Sequence, residues 1–205
     1  MRSLVLGLIV AALTGTVAGA VCPGREVLFE DKFDALKTTW SDPTDPLKVE
    51  NGQLILMPRS GTPNWTASNA SLYDDIDMCV TVTTLKGVDP LGAHTGVVFW
   101  YAGVNDFYSL EIAPNGKASV WRRQRGQWLM QVKWSDAQVN TGDGAANELR
   151  VTTVGNTATF YVNGTKFQTL SGSPPEKGQL IGLIAWSPDG GAARFAFDDL
   201  RVTKP

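Results

Sequence analysis

The chain has 205 residues, a formal net charge of −2 and 43% hydrophobic residues. It carries no basic surplus to grip a phosphate backbone, so a nucleic-acid partner is not expected. The length suits one all-β domain, since sandwiches of this size often stay undivided.

Residues 1–20 read as a signal peptide. Arg2 gives a positive start, residues 4–17 an apolar core, and Ala18-Gly19-Ala20 a small-x-small cleavage site. The mature domain is then 21–205, beginning at Val21. The apolar run is too short for a membrane span. Val21 precedes Cys22, where a lipoprotein needs a small residue. The expected location is therefore secreted or periplasmic. In that oxidising setting the chain's two cysteines, Cys22 and Cys79, pair as a disulfide. Closing so long a loop contributes roughly 4 kcal/mol on the chain-entropy account.

Residues 27–33 alternate apolar and polar side chains, and so do residues 195–202 at the other end. Both segments set carboxylates side by side, which is costly unless they are solvated or neutralised by a cation. The two ends are expected to pair. Between them, the turn Asn51-Gly52 opens a strand at 53–57. Residues 76–83 alternate Ile76, Met78, Val80 and Val82 against Asp77, Cys79 and Thr81. Residues 96–101 and 106–112 follow. Asn115-Gly116 signals a hairpin between strands at 109–113 and 117–123. Strands at 128–134, 148–154, 158–162, 166–170 and 180–186 continue the series, with Gly155-Asn156 and Asn163-Gly164 as turns. No stretch of a dozen residues has a helical apolar period. Many short strands punctuated by 21 glycines and 11 prolines mean a sandwich, jelly roll or barrel.

In order along the chain, several segments then carry a resemblance. They are Leu28-Phe29-Glu30-Asp31-Lys32-Phe33 with Trp40, Val49-Glu50-Asn51-Gly52-Gln53-Leu54, and Tyr73-Asp74-Asp75-Ile76-Asp77. Gly96-Val97-Val98-Phe99-Trp100, Asp106-Phe107-Tyr108-Ser109-Leu110-Glu111-Ile112 and Asn147-Glu148-Leu149-Arg150-Val151 follow. Tyr161-Val162-Asn163-Gly164 and Phe197-Asp198-Asp199-Leu200-Arg201-Val202 complete the set. The chain resembles the concanavalin A-like lectin/glucanase superfamily in its laminin-G-like branch. That resemblance implies an all-β, two-sheet antiparallel jelly-roll sandwich.

The glucanases of that superfamily carry a strand resembling Glu-x-Asp-x-x-Glu, and retaining hydrolysis needs two carboxyls about 5 Å apart. The equivalent segment here, Tyr108-Ser109-Leu110-Glu111-Ile112-Ala113-Pro114, offers Glu111 alone. Glu111 is therefore read as a polar binding residue, and no residue is assigned a catalytic role. The chain also resembles 3-keto-disaccharide hydrolase domains in its opening strand, its Gly-Val-Val-Phe segment at 96–99 and its Asp-containing last strand. It departs from their Asn-Gly-Lys-Asp-like opening, having Glu30-Asp31-Lys32 there. The lone His94, in Gly92-Ala93-His94-Thr95-Gly96, is a candidate base, set against an exposed loop histidine.

Seven tryptophans are many for this length. Sugar faces stack on aromatic rings, while Arg and Gln bond hydroxyls. Trp121, Trp128, Trp134 and Trp186 lie in β-rich segments near Arg122, Arg123, Gln124 and Arg125. Strand alternation points Trp100 away from Phe99 and Tyr101, toward the outer side, and sets Trp121 and Arg123 on one face. Trp100, Glu111, Trp121, Arg123 and Trp186 are thus the expected ligand-binding residues. The ligand expected is an oligosaccharide or polysaccharide.

Glucanase-like relatives hold a structural calcium ion between the chain ends. The resemblance implies the backbone carbonyls of Glu30 and Gly52 and the side chain of Asp198 as its ligands, with further oxygens from water. The sequence is thus read as an exported, non-catalytic carbohydrate-binding jelly roll. The alternatives are an exported hydrolase of the 3-keto-disaccharide type and a protein-interaction module. A pocket converging on His94 with carboxylates would favour the hydrolase.

Overall fold

In the computed structural model, which describes residues 22–40, 46–191 and 193–205, the alternating segments form fourteen strands, with no helix among the described residues. The expected signal peptide and its cleavage site lie outside the described residues. One sheet runs in the order β12 (Thr165–Ser171), β11 (Thr157–Val162), β10 (Ala146–Val154), β5 (Ile76–Thr84), β14 (Phe195–Thr203), β3 (Gln53–Leu56) and β2 (Leu47–Glu50). β1 (Val27–Asp31) also pairs with β14. The second sheet runs β4 (Pro63–Tyr73), β13 (Gln179–Trp186), β6 (His94–Gly103), β7 (Asp106–Ala113), β8 (Lys117–Gln124) and β9 (Gln127–Asp136). All pairings are antiparallel, and the two sheets form the expected jelly-roll sandwich.

The chain ends do pair, with Phe29 opposite Val202 and Asp31 opposite Leu200. The last strand is not an edge, however. β14 also bonds β5 and β3, so both neighbours satisfy its backbone. Asn51 and Gly52 both take positive φ, 54° and 72°. This is the type I′ turn whose twist matches a two-residue hairpin between β2 and β3.

Between the sheets lie the inward positions of the alternating strands. Ile76, Met78, Val80 and Val82 of β5 and Leu149 and Val151 of β10 share one core with Val97, Leu110 and Ile112. Full burial of each such side chain contributes about 1.5–3 kcal/mol. Cys22 and Cys79 form the expected disulfide, with Cα atoms 5.6 Å apart.

Alternate residues of the six-stranded sheet point away from that core. There a second apolar cluster of Val98, Phe107 and Ile184 is covered by Trp65, Tyr101 and Trp128. The sheet therefore has a largely aromatic outer face.

Trp100 corrects the sequence reading. It is 2% exposed and packs in the main core, 5.3 Å from Phe99 and 5.1 Å from Tyr108 between ring centroids. The β6–β7 register shifts between Phe99 and Gly103, and Trp100 takes a φ of 47°. This bulge breaks the alternation, so Phe99 and Trp100 both turn inward while Tyr101 turns out against Phe107. Gly172 leaves room for the indole: a Cβ there would lie 2.3 Å from Trp100 Cζ3.

Candidate functional site

Strand register assembles the site on the outer face of the six-stranded sheet. His94, the first residue of β6, stands opposite Trp186, the last of β13. Two residues along β6, Gly96 stands opposite Glu111 of β7. Side chains two apart on a strand share a face, so His94, Glu111 and Trp186 converge. Gly96 permits this, since a Cβ there would fall 1.9 Å from the Leu110 carbonyl oxygen.

His94 is not an exposed loop histidine. Its ring stacks on Trp186, with planes 6° apart and centroids 5.7 Å apart, and meets the edge of Trp134 at 5.2 Å. Its Nδ1 is hydrogen-bonded to Glu111 Oε2. Glu111 is 2% exposed, and its second oxygen accepts a hydrogen bond from Ser109 Oγ at 2.5 Å. Both carboxylate oxygens are thus partnered, as burial demands. Among the described residues, His94 Nε2 has no partner. With Glu111 ionised, the hydrogen of neutral His94 sits on Nδ1 and the lone pair on Nε2.

The dyad forms one wall of a pocket of ≈ 260 Å³. Trp121, Trp128 and Trp186 supply flat walls, and Pro63 and Ile184 close it. Of the expected ligand-binding residues, Glu111, Trp121 and Trp186 meet here. Arg123 lies one tryptophan further on: its guanidinium carbon is 5.1 Å from the Trp128 ring centroid and 4.9 Å from that of Trp65. Trp100 lies elsewhere, in the core and beside a different cavity with Tyr73 and Gln179.

Sequence reasoning did not assign Ser109, Pro63 or Ile184 to the site, and it named Trp128 among the groove tryptophans without placing it in the ligand-binding set. For Ser109 a signal existed, because it sits two residues before Glu111 on the same strand face. Pro63 and Ile184 carry none, since they contribute only apolar surface from strands distant in sequence.

The expected calcium ligands are divided. The Glu30 carbonyl accepts a hydrogen bond from Lys37 Nζ at 3.3 Å. Asp198 stands near other charges: burial pushes its carboxyl up, and the charges of Asp199 and Asp34 add to this, against hydrogen bonds from the Asp199 amide and Gln53. Asp34 also reaches toward Gly52, 4.0 Å from where its Cβ would be. Among the described residues, no three His, Cys, Asp or Glu side chains gather as a metal-binding set. A cation here would depend on backbone carbonyls and on Asp198.

The chain matches the 3-keto-alpha-glucoside-1,2-lyase-like domain over residues 24–203 and belongs to that family. No curated protein matches it. Among solved structures it is similar to a Bacillus licheniformis β-glucanase, with a TM-score of 0.63 and 15% identity over 86% of this chain and 98% of that one. It is also similar to the carbohydrate binding module CBM66 from Bacillus subtilis, with a TM-score of 0.58 and 13% identity over 81% and 91%. A third is a xylan β-1,4-xylosidase from Bacillus halodurans, with a TM-score of 0.62 and 16% identity over 85% of this chain and 39% of that one. At such identities these likenesses establish the fold alone. The chain is thus a jelly-roll domain of a carbohydrate-related family. No helix among its described residues is long and apolar enough to cross a membrane.

Proposed function

We propose that the chain is a lyase that cleaves 3-keto-glucosides across C1 and C2 in the His94 pocket. The observation that carries this is the buried Glu111 carboxylate bonded to the chain's single histidine inside an aromatic-walled pocket. At ≈ 260 Å³ the pocket falls below the roughly 300–1,000 Å³ typical of sites for drug-sized ligands. It suits one sugar ring, its apolar face laid on tryptophan.

A ketone at C3 acidifies the neighbouring C2–H bond. His94 Nε2 takes that proton, and the C–H electron pair becomes the C1=C2 double bond. The C1–O bond breaks, and its electrons leave with the departing oxygen. That oxygen then takes a proton from the imidazolium, which restores neutral His94. Glu111 fixes the ring's tautomer and balances the transient positive charge. Ser109 and Trp186 hold the two members in place. A positioned general base of this kind contributes about 10²–10⁴-fold in rate.

The disulfide supports placing the domain in an oxidising compartment, secreted or periplasmic. A second reading, a non-catalytic carbohydrate binder, is favoured by the tryptophans on the outer face. The two readings separate on one experiment. A 3-keto-α-glucoside is incubated with the protein, and alcohol release and the unsaturated sugar are followed by NMR. We expect release from the 3-keto compound and none from the parent glucoside. Sugar binding without release from either would leave the binder.

A further inference from the structure

We propose that Arg123 forms an anion-recognising subsite beside the sugar pocket, so that the preferred substrate carries a carboxylate on the group attached at C1. This inference rests on the lyase reading of the pocket.

Trp121 and Arg123 are two residues apart on β8 and share its outer face. The guanidinium of Arg123 lies against two indoles, Trp65 at 4.9 Å and Trp128 at 5.1 Å. Those rings stand at 87° to one another, 6.3 Å between centroids. Trp128 is also a wall of the pocket. The two places are thus continuous, joined by a shared indole.

The guanidinium carbon lies over both ring faces, and such cation–aromatic contacts use none of its N–H donors in a hydrogen bond. Among the described residues no carboxylate lies within ion-pair distance of Arg123, and its Nε is buried without a hydrogen-bond partner. A cation ordered by aromatic contacts yet lacking an acceptor is costly by itself. A ligand carboxylate would accept a two-pronged pair from the two terminal nitrogens, the side of the guanidinium that is not sealed as Nε is. Because the guanidinium is already held, binding would order little further. The pocket accommodates one ring, so the substituent at C1 must lie outside it. The Trp128 wall leads from the pocket to Arg123.

The test uses two unoxidised, unreactive probes, phenyl α-glucoside and 4-carboxyphenyl α-glucoside, titrated calorimetrically into the full chain. The carboxylated probe is expected to bind about tenfold more tightly. That preference should shrink with added salt, vanish in Arg123→Met and survive in part in Arg123→Lys. Equal affinities in the wild type, or a preference kept by folded Arg123→Met, would overturn the subsite and leave the sugar pocket standing. If neither probe binds, the pocket reading fails and the subsite fails with it. Should Arg123→Met not fold, the wild-type probe preference and its salt dependence decide alone, with loss of either counting against the proposal.

Discussion

Arg150 grips Asp77 through two parallel hydrogen bonds across the β5–β10 ladder, Nε to Oδ1 at 2.7 Å and Nη2 to Oδ2 at 2.9 Å. Asp77 is only 2% exposed, and the guanidinium also stacks on Tyr161 at 4.7 Å. The pair holds the outer face of the eight-stranded sheet, opposite in the sandwich to the His94 pocket. Arg150→Met would strand a buried carboxylate, at a cost of about 3–5 kcal/mol. Replacing both partners with apolar residues should recover much of that loss. Urea unfolding measures both variants. A loss under about 1 kcal/mol in Arg150→Met would match an exposed pair instead.

Glu148 lies close to this pair. Burial pushes its carboxyl up, Arg150 draws it back, and the Asp77 charge raises it again, for a net upward shift. The folded protein therefore holds the Glu148 proton more tightly than the unfolded chain does. The resulting stabilisation is fully present below the unfolded value, about 4.3, and is lost as pH rises through the higher folded value. Glu148→Gln should gain in melting temperature relative to wild type between pH 4 and pH 7. A relative gain running the other way would contradict the assignment.

Trp121, expected from the sequence to bind ligand, lines the His94 pocket. Trp121→Ala should weaken binding of a glucoside by about 1–3 kcal/mol, the scale of losing one aromatic contact surface. Calorimetry on the folded variant is the measurement. Unchanged affinity in a protein that melts much earlier would show that the ring serves packing and not sugar.

A calcium ion at the chain ends is proposed on the carbonyls of Glu30 and Gly52 and the side chain of Asp198. The physical support is that Asp198 ionises against its own burial and against Asp199 and Asp34, a cost that a cation would offset. At a hundred times its dissociation constant, calcium would add about 2.7 kcal/mol. The melting temperature should then fall on adding a chelator, and Asp198→Asn should abolish the difference. Identical melting with calcium and with chelator would exclude the ion.

Much of the fold was legible because its signals are local. Asn51-Gly52, Asn115-Gly116 and Asn163-Gly164 all sit at hairpin turns, and the alternation of residues 76–83 is the inward face of β5. The site was less legible because it depends on register between strands. Counted uniformly from the Gly103–Asp106 pair, Glu111 would stand opposite Val98. The bulge at Trp100 shifts that register, so Glu111 stands opposite Gly96 and within reach of His94. The same bulge turned Trp100 inward. One irregularity of backbone thus hid the dyad and misplaced a tryptophan, and no local pattern in the sequence marks it.

His94, held by Glu111, is the proposed carrier of the proton. This role is tested most directly by the turnover of a 3-keto-α-glucoside by His94→Ala, with and without added imidazole. The expected result is a fall of about 10²–10⁴-fold in kcat, with partial recovery of turnover by imidazole. Turnover by His94→Ala at the wild-type rate would contradict it.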